Sequence, residues 1–456
     1  MFPRKISHEL LEWKKSSNRK PLVLRGARQV GKTTVVNLIS AEFEQYIYLN
    51  LERNEDKEVF KNKKSIREIV DSIFFIKNKS QQVQKTLIFI DEIQEVPEAL
   101  ASLRYFYEDY PKLYIIAAGS LLETVYNNSI SFPVGRVEYK ILRPFSFLEF
   151  LWAMGETQAA KQYEKVPVAL FAHEKLLQLF HTYTLIGGMP EVVKQYVEKH
   201  DLSSLKSVYE SLLLSYIDDV EKYARNATQT QIMRHAIRTC FSEAGSRIKF
   251  HGFGASSYAS REMGEALRTL EKARLIHLIY PTIQTALPYL PDIKKSPRLM
   301  LLDTGLLNYF AGIQKEVFGS PDLNDVYQGK VVKHIVGQEI LANNTNLLSS
   351  LLFWVREKTN SFAELDFLFL KEGLAIPVEV KSGKVGKLKS LHQYVEISGV
   401  RLAIRLYAGQ FQIDTLNTSN GTPFTLLNIP YYLAGNLDKY IEMYTNSDEI
   451  KMISTD

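Results

Sequence analysis

The stretch PLVLRGARQVGKTTVVNLI, residues 21–39, constrains this chain more than any other. Leu22, Val23 and Leu24 read as a buried strand, and VVNLI continues with helical spacing. Between them GARQVGKT, Gly26 to Thr33, satisfies G-x-x-x-x-G-K-[ST] in full. Such a loop between strand and helix is a phosphate cradle. Gly26 and Gly31 let the backbone curl until successive N–H groups face one anion. The helix behind adds the positive end of its dipole. Lys32 is expected to reach the β- and γ-phosphates, and the Thr33 hydroxyl to hold Mg²⁺. The expected nucleotide-binding set is Gly26, Ala27, Arg28, Gln29, Val30, Gly31, Lys32, Thr33 and Thr34, with ATP and Mg²⁺ as ligands.

A metal ligand should follow on a second buried strand. TLIFIDEIQ, residues 86–94, places Asp91 at the end of the apolar run Leu87–Ile90. Asp91 is the expected Mg²⁺ ligand, and Glu92 beside it the group that orients or deprotonates the attacking water. The alternative for this acidic pair is a helix N-cap. A third strand, LYIIAAGS, residues 113–120, ends at Ser120. That hydroxyl is expected to touch the γ-phosphate or the water, unless it is a turn serine. Strands alternating with helical patterns give a doubly wound parallel α/β core.

Length and charge bound the rest. At about 150 residues per domain, 456 residues suggest roughly three domains. The single cysteine, Cys240, excludes an intrachain disulfide and a cysteine-rich zinc cluster. No apolar stretch approaches the roughly 20 residues of a membrane span, and the N-terminus lacks a signal-like apolar region, so a cytoplasmic protein is expected. A net charge of +5 is too mild, by itself, to imply nucleic acid.

Several segments in one order carry a resemblance: RGARQVGKTT, IFIDEIQ, AAGS, VGRVEYKILRPFSFLEF, YTLIGGMPEVV, RLMLLDTGLLNYF and FAELDFLF…PVEVKSG. The chain resembles bacterial and archaeal AAA+ type ATPases whose C-terminal domain looks like a PD-(D/E)XK nuclease. The resemblance implies that Arg136, in the GR segment, contacts nucleotide, in cis or from a neighbouring subunit of a homo-oligomer. Arg28, Arg104 and Arg143 compete for that role, and a structural arginine is the alternative for each.

Four regions follow. Residues 1–150 are the expected ATPase core, 151–227 a helical lid broken at Gly187-Gly188 and Pro190, 228–320 a winged helix, and 321–456 a restriction-endonuclease-like α/β domain. In the winged helix, Ser257, Ser260, Arg261 and Arg268 would lie near the recognition helix and Lys294 and Lys295 on the wing, positioned for DNA or RNA phosphates. The alternative is a packing module, because Glu262, Glu265 and Glu271 leave the local charge mixed.

In the last region FWVRE, AELDFLFL and AIPVEVKS read as three strands between helices. Asp366, Glu379 and Lys381 form D…E-x-K, in which two carboxylates bind a divalent ion and the lysine steadies charge. A two-residue turn at Glu372-Gly373 would pair Lys371 with Leu374, set Asp366 opposite Glu379 and Glu364 opposite Lys381. Where the resembled family has an acid early in the first helix this chain has Lys333; Glu339 is the substitute, with His392 or Gln393 completing the site. Lys381, Lys384, Lys387 and Lys389 form a charge run that either binds nucleic acid or is a solvated face. Two readings stay open: an ATP-driven nucleic-acid enzyme that cuts, and a nucleotide-dependent switch whose C-terminal domain only binds.

Overall fold

The structure, a computed structural model, describes residues 2–61, 65–120, 135–221, 224, 226–315, 323, 329–348, 350–358, 361–381 and 388–453. Five strands form the first sheet: β1 (Leu22–Arg25), β2 (Gln45–Asn50), β3 (Thr86–Asp91), β4 (Tyr114–Gly119) and β5 (Glu138–Ile141). They lie in the order β2-β3-β4-β1-β5, all parallel. Leu87, Ile88, Phe89 and Ile90 are all fully buried, as a strand covered on both faces requires. Alternate residues serve opposite faces. Leu87 and Phe89 join the core that includes Val35 and Val36 of helix Lys32–Ile39. Ile88 and Ile90 join the core of helices Ile66–Ile76 and Pro97–Asp109. The sheet is therefore doubly wound, and Arg25↔Gly119 and Asn50↔Asp91 align the strand ends so that their loops emerge along one edge.

The chain is then helical through Phe147–Ala153, Thr157–Tyr163, His173–Ile186, Pro190–Lys199 and Lys206–Glu221. The break falls at Gly187, with φ +79°, and Pro190 opens the next helix, where a missing N–H costs nothing. Helices Ala227–Glu243 and Ser260–Lys272 follow, with an antiparallel pair of β6 (Ile276–Ile279) and β8 (Arg298–Leu301). The connection between those strands is not a free wing. Its β7 (Pro281–Thr282) pairs in parallel with β9 (Phe353–Lys358) of the C-terminal region. Lys295, expected on an open wing, is instead ion-paired with Glu357 of β9.

Helix Lys330–Ala342 leads into β9 and β10 (Ser361–Glu364), which are antiparallel. A five-stranded sheet follows in the order β11-β12-β13-β15-β14, where β11 is Phe367–Lys371, β12 Leu374–Val380, β13 Leu402–Tyr407, β14 Gln412–Asn417 and β15 Pro423–Pro430. Helix Lys389–Ser398 joins β12 to β13, and helix Leu437–Ile453 closes the chain. AELDFLFL is not one strand: it bends at Leu365-Asp366, between β10 and β11. One apolar core runs from the helix Lys32–Ile39 face of the first sheet through Phe147, Phe180, Leu267 and Val332 to Tyr431. No helix among the described residues is long and apolar enough to cross a membrane.

Candidate nucleotide site and C-terminal charge cluster

At the P-loop the backbone leaves β1 through Gly26, where φ is +155° and an added Cβ would sit 2.3 Å from the Leu142 carbonyl oxygen. Only glycine fits. Gly31, with φ +95°, turns the loop into helix Lys32–Ile39 from the left-handed region. Lys32 is buried, and its ammonium donates to the carbonyls of Gly26 (3.0 Å) and Ala27 (2.9 Å). Burial lowers its pKa, against the attraction of Glu92 and Asp91.

The Thr33 hydroxyl donates to Asp91 Oδ2 at 2.7 Å, and Tyr48 donates to the same oxygen at 3.2 Å. Burial raises the Asp91 pKa, and the Thr33 hydrogen bond opposes that. Glu92 occupies the left-handed region at φ +53°, an uncommon conformation for a non-glycine residue at a strand end. Its carboxylate accepts from Gln94 Nε2 at 2.6 Å. Ser120 is buried at the end of β4, and its hydroxyl has no partner among the described residues.

A cavity of about 910 Å³ opens over this loop, lined by Arg28, Gln29, Gly31, Lys32, Thr33, Thr34 and Glu92. Distant segments add Phe2, Arg4, Phe145, Pro190, Lys194 and Val197 to the wall, and Glu52, Glu191 and Glu198 put three acids on it as well. From the sequence Pro190 read only as a breaker in the helical lid, and Phe2, Arg4, Phe145, Lys194 and Val197 carried no expected role. Arg4 ties the N-terminus beneath the loop. It donates to the carbonyls of Val30 (2.8 Å) and Arg143 (2.6 Å), pairs with Glu149 at 3.0 Å, and lies 4.7 Å over the Phe145 ring. Arg28 pairs with Asp219 at 3.2 Å, linking the loop to helix Lys206–Glu221.

Arg136 is not in this cavity. It lies just before β5, whose first residue Glu138 pairs with Leu22 at the far edge of the sheet from the P-loop. There it pairs with Glu108 at 3.0 Å, a carboxylate that Arg104 shares. A nucleotide contact made by Arg136 within its own subunit is thereby ruled out; a contact to a neighbour's site is compatible with this half-buried surface position.

In the C-terminal sheet the turn Glu372-Gly373 has positive φ at both residues, and Lys371 pairs with Leu374. Asp366 and Glu379 are both buried and close enough for their charges to repel. Asp366 Oδ2 accepts the Val380 amide at 2.9 Å, and Lys333 Nζ is 2.6 Å from its Oδ1. Lys381 pairs with Glu379 at 3.0 Å, while Glu379 Oε2 is buried with no partner among the described residues. Burial, then the Asp366 charge, pushes Glu379 up to about 7, against Lys381 and Lys333.

Two expected members lie elsewhere. Glu364 does not face Lys381: the bend at Asp366 leaves it opposite Val355, where Arg298 pairs with it at 2.6 Å. Glu339 accepts the Phe147 amide (2.9 Å) and the Tyr183 hydroxyl (2.8 Å), so its carboxylate faces the ATPase side, apart from Asp366. His392 packs edge-on to Phe424, ring centroids 5.4 Å apart. Lys384 and Lys387 lie outside the described residues. Among the described residues no three His, Cys, Asp or Glu side chains form a group able to hold a metal ion.

Residues 18–151 match the AAA domain family, and the P-loop geometry makes this part an AAA-type ATP-binding domain. Residues 177–317 and 328–430 match two domains of unknown function, DUF8612 and DUF4143. Among solved structures the chain is similar to the Walker-type ATPase paby2304 of Pyrococcus abyssi, with TM-score 0.43 and 16% identity over 68% of this chain and 96% of that one. It is also similar to Drosophila ORC bound to DNA, with TM-score 0.25 and 16% identity over 57% of this chain and 65% of that one. No curated protein matches the chain.

Proposed function

We propose that this protein is an Mg²⁺-dependent ATPase acting as a nucleotide-dependent switch, whose C-terminal module binds nucleic acid without cutting it. The residues fit the metal: Thr33 and Asp91 bring two hard oxygen donors within 2.7 Å beside the cradle. When bound there, Mg²⁺ would offset phosphate charge. In the chain's own part, the Lys32 ammonium exchanges the Gly26 and Ala27 carbonyls for β- and γ-phosphate oxygens. Glu92 takes the proton of the attacking water as the bond from γ-phosphorus to the leaving ADP oxygen breaks. The Ser120 hydroxyl, buried and with no partner among the described residues, is placed to donate to the γ-phosphate or to that water. Phe2, Phe145, Pro190 and Val197 offer an apolar wall for the base.

The observation that favours a switch over a nuclease is the ion pair of Lys333 with Asp366. A lysine ammonium already holds the carboxylate that two-carboxylate metal chemistry needs, and among the described residues no third acid joins the pair. For nucleic acid, Arg261 is exposed on helix Ser260–Lys272 and Lys294 in the connection between β7 and β8; that helix with the β6–β8 pair has the makeup of a winged helix. The test is incubation with labelled DNA and RNA, with Mg²⁺ or Mn²⁺, with and without ATP. Nucleotide-dependent binding that weakens steeply with salt, and no cleavage, is expected. Metal-dependent cleavage abolished by Asp366→Asn would replace this reading with the nuclease.

A further inference from the structure

A second cavity, of about 440 Å³, opens between helix Ser260–Lys272, β6 and the segment after helix Lys330–Ala342. It shares no lining residue with the nucleotide cavity. One side carries Arg268, Lys272, Arg274 and His277; the other carries Leu347, Leu348 and Leu351. Glu271 is the one acid among the described lining residues, and one of its oxygens is engaged by the Leu278 amide at 2.8 Å.

Arg143 is close to two of these residues. Its Nε is buried with no hydrogen-bond partner among the described residues, and it is near enough to Arg274 and His277 to act on their charges. His277 feels Arg143, Arg274 and His334, all positive when charged, and burial with these neighbours holds its pKa well below the usual imidazole range. Arg268 and Lys272, one turn apart on their helix and both exposed, bring two positive charges to the cavity lining, with the uncharged His277 imidazole beside them. An anion placed there meets their field, and phosphate suits arginine and lysine donors. Leu348 is almost fully exposed on the opposite side, an apolar surface that an inorganic ion would not cover. The volume is that of a small organic ligand.

We propose that this cavity binds a phosphate ester, with its phosphate held by Arg268, Lys272 and His277 and its organic part laid on Leu347, Leu348 and Leu351. The site stands independently of the ATPase reading. The phosphate has two sources, a free mononucleotide or the phosphorylated end of a nucleic-acid strand.

The test is calorimetric titration of the full chain, its nucleotide site first saturated with Mg-ADP. The probes are AMP, adenosine, inorganic phosphate, and one short oligonucleotide with a 5′-phosphate or a 5′-hydroxyl. AMP or the 5′-phosphorylated strand should bind at least tenfold more tightly than its phosphate-free counterpart, and which of the two binds identifies the source. Arg268→Gln with Lys272→Gln should remove that binding. Both side chains are exposed, so folding should survive; unchanged thermal unfolding checks it, and Lys272→Ala alone, expected to weaken binding severalfold, serves if it does not. Equal affinity with and without phosphate, no binding of any probe, or binding untouched by these variants would overturn the proposal.

Discussion

The Asp303 carboxylate accepts the backbone amide of Gly188 at 2.6 Å, joining segments 115 residues apart. The fit is close on every side. An added Cβ at Gly187 would lie 2.1 Å from Asp303 Oδ1, and one at Gly188 2.3 Å from the Phe145 carbonyl oxygen. Asp303 also caps helix Thr304–Phe310 through the amides of Gly305 (2.9 Å) and Leu306 (3.2 Å). Phe145 and Pro190 on one side of this junction line the nucleotide cavity. On the other side helix Lys330–Ala342 contributes Gln338, which donates to Tyr183 at 3.1 Å, and Glu339. The same helix carries Lys333 to Asp366. A buried polar junction thus connects the phosphate cradle to the C-terminal cluster by continuous packing.

Gly187→Ala tests that junction. The substitution combines a left-handed φ of +79° with a clash against a buried carboxylate. Strain plus overpacking is expected to cost about 3 kcal/mol, read from denaturant unfolding. A variant as stable as the wild type would show that the glycine pair is not held as tightly as its contacts imply.

Glu339 supplies a pH dependence. Burial raises its carboxyl from the ordinary 4.5 to about 7, with Glu149 adding to the shift and Tyr183, the Phe147 amide and Lys5 opposing it. Between those values the native state keeps a proton that the unfolded chain has lost. Its contribution to stability is therefore full below about 4.5 and is lost as pH rises through about 7. Glu339→Gln keeps an acceptor for the Phe147 amide and removes the titration. The variant should gain on the order of 2 kcal/mol relative to wild type at pH 8 and nothing at pH 4. Parallel stability profiles across that range would contradict the assignment.

What was legible in the sequence was chemistry held within short segments. The P-loop could be read because Gly26, Gly31, Lys32 and Thr33 act within one turn of backbone. The β11–β12 register could be read because Glu372-Gly373 fixes it locally. What could not be read needed the tertiary fold. Phe2 and Pro190 reach the nucleotide cavity from opposite ends of the first 190 residues, with no spacing to connect them. The bend at Asp366 follows from its carboxylate accepting the Val380 amide, and from Arg298 of another module donating to its carbonyl at 2.7 Å. Glu339 was readable as an acid in a helix, but its face was set by Phe147 and Tyr183.

At the nucleotide site, Lys32→Ala should weaken ATP binding by roughly a hundredfold, since hydrogen bonds from a charged donor to phosphate are among the stronger ones. Glu92→Gln should bind ATP normally yet lose turnover by about a hundredfold or more, because an amide cannot accept the water's proton. Single-turnover phosphate release separates the two. Normal release by the Glu92→Gln protein would take Glu92 out of the chemistry.

Arg136 cannot reach its own subunit's cavity, so any catalytic part it plays requires a second copy. Arg136→Ala should then lower turnover more than ATP affinity. Wild-type turnover per subunit should rise with protein concentration, and mixing Arg136→Ala with Glu92→Gln protein should restore part of the activity. Concentration-independent turnover by a monomer, measured by light scattering, would assign the arginine to its Glu108 pair alone.

The last prediction concerns Lys333. Asp366 and Glu379 are buried acids close enough to repel, and each already faces a lysine ammonium, at 2.6 and 3.0 Å. In the sequence these two acids, with Lys381, read as a site for a divalent ion. In the structure Lys333 relieves their repulsion, standing where a third acid would be needed for metal chemistry. Removing the ammonium should therefore restore the conflict and create a demand for a cation. Lys333→Ala without nucleotide is expected to bind one more Mn²⁺ than the wild type, seen as loss of free-ion signal in electron paramagnetic resonance. Asp366→Asn with Glu379→Gln should abolish that extra ion in the same background. Asp91→Asn should leave it in place, because Asp91 belongs to the distant nucleotide site. If Lys333→Ala binds no more Mn²⁺ than the wild type, the lysine is not standing in for a metal, and the two acids are a structural pair held by the Val380 amide and Lys381.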